Sequence, residues 1–309
     1  MQKEWDYYYA KYFYKAILRR LFHYRSKVYA GREMIPDNDA NELIYKAIDY
    51  GEPFVASRFG STELFTMTSR EAKNNKRFAP KDDQRICDLS GFFPNDEKQI
   101  DSFCTLMKEI IPYIDLLATW NLPMEEYFIS KYMANAKVSG LTCVEPYAFN
   151  KPWSAALLGK RVLVIHPFAQ SIEKQYQKRK QIYPNSDVLP EFDLIIIKAV
   201  QTIAGEVDNR FKNWFEALEY MKTEMKKVEF DIAIIGCGAY GMPLAVEAKK
   251  MGKMAIHMGG ATQLLFGIKG KRWDTNRSIN RLYNDEWIYP LEEEIPAKSM
   301  IVENACYWK

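Results

Sequence analysis

From residue 37 onward the chain alternates two apolar patterns. Short continuous runs have the length of buried strands: "PFVASRF" (53–59), "DLLATW" (115–120), "KRVLVIH" (160–166), "FDLIIIKAV" (192–200), "FDIAII" (230–235) and "MAIHM" (254–258). "LTCVE" (141–145) is a shorter strand candidate. Between the runs the apolar positions recur with helical spacing: "NDANELIYKAIDYG" (38–51), a stretch from about Thr62, residues 96–113, "AQSIEKQYQKR" (169–179), "NRFKNWFEALEYMKTEMKKV" (209–228) and "MPLAVEAKKMG" (242–252). Apolar strands alternating with helices predict a Rossmann-like α/β fold, a mostly parallel sheet with helices on both faces. No compositional break divides this body, so residues 36–285 read as one domain, with residues 286–309 as a tail packing on it.

The first residues have a different character. Residues 1–29 hold seven tyrosines and seven Lys/Arg against two acids. Trp5, Tyr9, Tyr12, Phe13, Ala16, Ile17 and Leu21 fall near one helical face, with Lys11, Lys15, Arg19 and Arg20 elsewhere. Residues 1–35 therefore form a basic, aromatic helical arm. Such a helix can lie on an anionic membrane surface, or dock its aromatic face on the body or on another subunit. The second reading weighs about two to one over the first by the usual behaviour of aromatic helical faces.

Composition narrows the classes. The chain has 309 residues with 48% hydrophobic and 27% charged, ordinary for a globular protein. Its net charge of +3 gives no global case for nucleic acid. The five cysteines contain no C-x-x-C pair and are odd in number, which predicts reduced thiols and a cytoplasmic setting, peripheral at the inner face of a membrane if the arm binds lipid. The charged N-terminus shows no signal peptide, and no uncharged stretch of spanning length lacks Gly or Pro turn signals.

"FDIAIIGCGAYG" ends a strand in Gly236, Gly238 and Gly241, the G-x-G-x-x-G spacing. Glycines there let a backbone approach a ligand, and a helix start offers N–H groups to a phosphate. A dinucleotide site also asks for an acid about 20 residues on. The next strand instead ends in His257, Met258, Gly259 and Gly260. This disfavours NAD and leaves two readings: a cradle for another phosphate, or a tight turn that needs glycine for packing.

In open parallel sheets ligands sit beyond the carboxyl ends of the strands. There the sequence places Arg58, Gly60, Ser61 and Glu63; His166; Lys198 and Gln201; Gly236, Gly238, Ala239, Tyr240 and Gly241; and His257, Gly259, Gly260, Thr262 and Gln263. Lys269, Lys271, Arg272 and Trp273 follow. Their convergence points to a phosphate-bearing ligand, with Lys and Arg on the charge and Tyr240 or Trp273 stacking on a base or sugar. No His/Cys cluster has metal-ligand spacing, and no Walker lysine or G-x-S-x-G elbow is present.

"SRFGSTEL" resembles the "RFGDGE" signature of the bacterial GT-D glycosyltransferases. Arg58, Phe59, Gly60 and Glu63 keep the pattern, while Ser61 and Thr62 replace its Asp and Gly. "GKRVLVIHPF" and "AIHMGG" are similar to further segments of that family, and the likeness spans most of residues 40–265. It implies a glycosyltransferase that passes a sugar from a nucleotide-sugar donor, a UDP-sugar first among them, to a glycan or polysaccharide acceptor in surface polysaccharide or glycoprotein assembly. In the family the D-x-E portion is associated with a divalent metal and the donor diphosphate. Ser61 loses one of those charges. A Mn2+ or Mg2+ ion at Glu63 is thus an open question, and Lys269, Lys271 and Arg272 could supply the missing charge. Glu63 would hold a metal or orient the donor from the mouth of the crevice. His257 is the candidate general base on the strength of its unperturbed pKa of roughly 6.5. Two rival readings stand beside this one: another nucleotide- or S-adenosylmethionine-dependent transferase, and a non-catalytic binding relative. A homo-oligomer is compatible with all of them.

Overall fold

A computed structural model describes residues 2–22, 27–72 and 81–309. Met1 and residues 23–26 of the N-terminal arm lie outside the described residues. The arm itself is helix α1 (Gln2–Phe22), followed by a small antiparallel pair, β1 (Val28–Tyr29) and β2 (Arg32–Glu33).

The body then alternates as the apolar pattern predicts. Helix α2 (Asp37–Tyr50) ends at Gly51, whose φ of 73° makes a left-handed cap. Strand β3 (Val55–Ser57) leads into α3 (Ser61–Glu71). Helix α4 (Asp83–Ser90) has no counterpart among the expectations above, yet its ends are local chemistry: Asp82 accepts from the N–H of Arg85, and Gly91 takes φ 74°. Helix α5 (Glu97–Ile110), β4 (Leu116–Thr119), α6 (Glu125–Tyr132) and β5 (Lys137–Gly140) follow. The second half runs β6 (Arg161–His166), α7 (Ala169–Tyr176), α8 (Arg179–Ile182), β7 (Asp193–Lys198), α9 (Trp214–Lys226), β8 (Ile232–Ile235), α10 (Gly241–Lys250) and β9 (Met254–His257).

One expected strand is displaced. "LTCVE" forms a 3-10 turn over Leu141–Val144, and the strand is the preceding "KVSG". Lys137 to Gly140 pair in parallel register with Leu116 to Thr119, and Asp37 accepts from the N–H of Gly140. Ladder pairing with β4 decides this segment against its weak strand propensity.

The seven strands lie in the order β5-β4-β3-β9-β8-β6-β7, and every recorded pair is parallel. The fold is therefore the expected α/β arrangement, with a parallel sheet between helical layers. Side-chain alternation splits the core in two. Val55, Leu117, Leu163, Ile165, Ala233, Ile235 and Ala255 face one layer; Ala56, Leu116, Ala118, Val162, Val164, Ile232, Ile234 and Ile256 face the other. Strands β3 and β9 are neighbours from opposite ends of the sequence. From β3 the order runs outward one way through β4 and β5; from β9 it runs the other way. That reversal opens a crevice at the carboxyl edge.

Candidate active site

The crevice is a cavity of about 240 Å³. Residues following all seven strands line it: Arg58, Gly60, Ser61 and Glu63 after β3; Trp120 after β4; Leu141 and Glu145 after β5; His166 and Phe168 after β6; Gln201 and Thr202 after β7; Gly236 to Tyr240 after β8; and His257 to Ala261 after β9. Arg272, Trp273, Glu303, Tyr307 and Trp308 from the C-terminal segment complete the wall.

Arg58 occupies the switch between β3 and β9. Its guanidinium lies 5.0 Å from the ring centroid of Trp120, whose indole N–H donates to the Phe59 carbonyl at 2.9 Å. A Cβ at Gly259 would come within 2.1 Å of Arg58 Nη2, so glycine there makes room for the guanidinium. Among the described residues no carboxylate lies within ion-pair distance of Arg58. The guanidinium is held by stacking on Trp120, by the close backbone at Gly259 and by donation from Nη1 to the Phe59 carbonyl at 3.3 Å.

Glu145 is the titratable group on which the sequence reading was silent. It lines the cavity half-buried, and among the described residues no side-chain hydrogen bond or ion pair reaches its carboxylate. Burial pushes its pKa up to about 7, with Arg58 pulling it down and Asp37 pushing it up. Both Glu145 and Trp120 follow runs that the apolar pattern marks, "LTCVE" and "DLLATW". Extending the survey of strand ends to those two runs would have found them.

Several expected roles are corrected by the geometry. His257 is buried, its Nδ1 shares a hydrogen bond of 3.0 Å with Ser57 Oγ, and burial together with the Arg58 charge lowers its pKa to about 3. The unperturbed value that recommended it as a base does not apply here. His166 is also a turn residue: its Nδ1 accepts from the Phe168 N–H at 3.0 Å, and burial lowers it to about 3. Glu63 is not at an open mouth. It is 8% exposed, and a Cβ at Gly60 would lie 1.7 Å from its carboxylate, which folds back over the helix start. Burial raises its pKa against hydrogen bonds from its own N–H and from Ser90 and the charge of Arg58.

The glycines turn out to serve packing. A Cβ at Gly236 would meet the Gly259 carbonyl at 2.4 Å, one at Gly238 the Ser90 carbonyl at 2.6 Å, and one at Gly241 the His257 ring at 2.3 Å. Gly238 also takes φ 58°. Tyr240 is committed as well: it is 1% exposed and stacks on Trp214 at 5.0 Å. Gly241 and Thr262 do not line the cavity; Thr262 Oγ1 donates to the Ile235 carbonyl instead. Gln263 reaches the wall; its Nε2 donates to the carbonyls of Ile268, Lys269 and Tyr307, while its Oε1 is buried with no hydrogen-bond partner among the described residues.

Of the basic loop, Arg272 reaches the cavity, between the rings of Trp273 and Tyr307 and 3.6 Å from Glu303. Lys269 sits over Tyr283 and Tyr289, and Lys271 is exposed. The bridge between Ile268 and Ile288 carries both lysines away from the cavity. Lys198 is likewise outside it.

The residues present do not fit a divalent ion. Ser61 has no charge, Glu63 is engaged with its own helix start, and among the described residues no group of three His, Cys, Asp or Glu could hold a metal. Within the described residues no helix is long and apolar enough to cross a membrane.

A model of the GT-D fold-like domain matches residues 37–265. Two solved structures of domain of unknown function 1792 are similar at a lower level. One, a selenomethionine-substituted form, is 12% identical, with 76% of this chain and 80% of that chain covered and a TM-score of 0.41. The other, described as having a distinct glycosyltransferase fold, is 11% identical, with 84% and 95% covered and a TM-score of 0.44. Among curated proteins none matches the chain in sequence.

Proposed function

The chain belongs to the GT-D fold-like family, and on that premise we propose that it is a glycosyltransferase using a nucleotide-sugar donor and a hydroxyl of a glycan or polysaccharide as acceptor. The observation that carries this reading is Arg58. It is a guanidinium without a carboxylate partner at the carboxyl edge of the sheet, beside the start of α3. A diphosphate suits it, because the guanidinium donates to two oxygens at once. Arg272, 3.6 Å from Glu303, adds a second cation to the cavity wall.

In the reaction the acceptor oxygen forms a bond to the anomeric carbon. The bond from that carbon to the diphosphate oxygen breaks, and the nucleoside diphosphate departs with the electron pair. Arg58 offsets the charge that grows on the leaving oxygen. Glu145 takes the acceptor proton: it is an unpartnered carboxylate in the same cavity, and a pKa of about 7 lets it ionise near neutral pH and still bind a proton. In this reading the arginines take the place of a metal ion.

Calorimetric titration with UDP-, GDP- and CMP-sugars tests the donor assignment. Binding is expected with wild type and is expected to weaken by about 10- to 100-fold for Arg58→Ala, the worth of one charge-assisted bond. Absence of binding at millimolar donor overturns the assignment. A donor-binding protein that does not transfer is the reading favoured by the engagement of Glu63 with its own helix start. Binding without release of nucleoside diphosphate, unchanged in Ser61→Asp, would establish it.

A further inference from the structure

The family match ends at residue 265, yet part of the cavity wall comes from beyond it: Arg272 and Trp273, then Glu303, Tyr307 and Trp308. The backbone fixes how this segment returns to the crevice. Glu303, Asn304 and Ala305 take φ of 47°, 58° and 61°, a left-handed run that residues other than glycine keep only where their surroundings hold it. Three carbonyls directly after the run are held. That of Cys306 accepts from the Arg272 N–H at 3.0 Å, that of Tyr307 from Gln263 Nε2 at 3.2 Å, and that of Trp308 from the Lys271 N–H at 2.9 Å. Trp308 is buried, with its ring 6.3 Å from that of Phe168.

These contacts set the Tyr307 ring on the turn after β9. A Cβ at Gly260 would meet its Cε1 at 2.3 Å and its Cζ, the carbon that bears the hydroxyl, at 3.1 Å. The adjoining Gly259 makes the same room for Arg58 Nη2. Two successive glycines thus seat a phenol and a guanidinium at one end of the crevice, where β3 meets β9. Arg272 also comes to this phenol, its guanidinium 5.0 Å from the ring centroid.

Burial raises the pKa of Tyr307, while the charges of Arg272 and Arg58 both pull against the rise. The phenol therefore keeps its proton at neutral pH. A guanidinium only donates, so neither arginine can take a hydrogen bond from it. Among the described residues no other group accepts one from this hydroxyl. Glu303, 3.6 Å from Arg272, is exposed to water, which screens its charge. Two cations and a neutral donor around one spot fit an anion with several oxygens. A neutral sugar ring, whose hydroxyls also donate, would ask for acceptors there.

We propose that the Tyr307 hydroxyl donates a hydrogen bond to the diphosphate of the donor, alongside Arg58 and Arg272, so that the C-terminal segment completes the anion site. The inference rests on the function proposed above, in that the cavity takes a nucleoside diphosphate.

Calorimetric titration of the full chain with inorganic pyrophosphate and with UDP- and GDP-sugars separates the two claims. Wild type is expected to bind pyrophosphate. Tyr307→Phe keeps the ring on Gly260 and removes the hydroxyl alone. It is expected to bind pyrophosphate, and the nucleotide sugar that wild type takes, about 10- to 100-fold more weakly, with no fall in melting temperature. A ring that only packs would lose nothing by that change, so wild-type affinity in Tyr307→Phe overturns the proposal. A wild type that binds a nucleotide sugar but no pyrophosphate at millimolar concentration also overturns it, and leaves the glycosyltransferase reading in place. Pyrophosphate binding that depends on the Tyr307 hydroxyl, with no binding of any nucleotide sugar, supports the anion site and removes the donor instead. Binding of neither ligand overturns both.

Discussion

Two buried glutamates, Glu145 in the cavity and Glu125 under the arm, are both pushed up to about 7 by burial. Their surroundings differ. Glu125 is fully buried, and its Oε2 accepts from Tyr29 Oη at 2.8 Å and from the Leu122 N–H at 3.2 Å. It ties the segment after α1 to the turn before α6. Glu145 has no such partner and faces a cavity beside Arg58. The same raised pKa thus marks a structural knot in one place and a group with free proton-accepting capacity in the other. A shifted pKa alone does not locate chemistry; under the proposed function it is the unpartnered carboxylate beside Arg58 in the cavity that carries it.

The comparison breaks most sharply at Glu145. Glu145→Gln is expected to lower turnover by about 10²- to 10⁴-fold, the usual worth of a general base, with no fall in melting temperature. Wild-type turnover should rise as pH climbs through about 7, because the ionised carboxylate is the base, and the variant should lose that limb. A drop in melting temperature with turnover retained would put Glu145 in the same class as Glu125.

Glu125 should respond in the opposite way. Its folded pKa of about 7 lies above the ordinary glutamate value of 4.5, so the folded state holds a proton that the unfolded state gives up. Stability should therefore fall as pH rises between those values, and Glu125→Gln should flatten the fall by an amount on the order of 3 kcal/mol. Turnover of the folded variant should persist. Denaturant midpoints at a series of pH values measure this, and an unchanged slope in the variant would show that another group carries the dependence.

Gly238→Ala sharpens the contrast between packing and ligand contact. The added Cβ meets the Ser90 carbonyl at 2.6 Å and the residue must keep φ 58°. A loss of about 1–3 kcal/mol in stability is expected, while donor affinity of the folded fraction stays normal. Weakened donor binding at full stability would return this turn to the phosphate cradle. The smallest effect is expected from EDTA: with Arg58 and Arg272 on the diphosphate, turnover should not change. Loss of turnover on chelation, restored by Mn2+, would refute the arginine account.

Much of the fold is legible along the chain because a parallel sheet buried on both faces demands continuous apolar runs, and six of them stand out. The displaced strand "KVSG" was not legible, since its pairing with β4 rather than its composition makes it a strand. The candidate site was legible as an edge of the sheet and as Arg58, which follows a strand directly. The roles within it were not. Distance in sequence hides that Ser90 closes over Gly238, that Trp120 holds Arg58, and that Tyr240 is taken by Trp214. Glycine spacing says only that a side chain would not fit; whether backbone or ligand fills that space is decided by neighbours that folding brings up, Gly259 at Gly236, Ser90 at Gly238 and His257 at Gly241, because tight packing is a property of the assembled interior. The sequence alone determined the alternation of elements, the order of apolar faces and the arm. The tertiary structure alone decided which carboxylate is free and which histidine is buried beyond use, because burial and pairing exist only once distant segments meet.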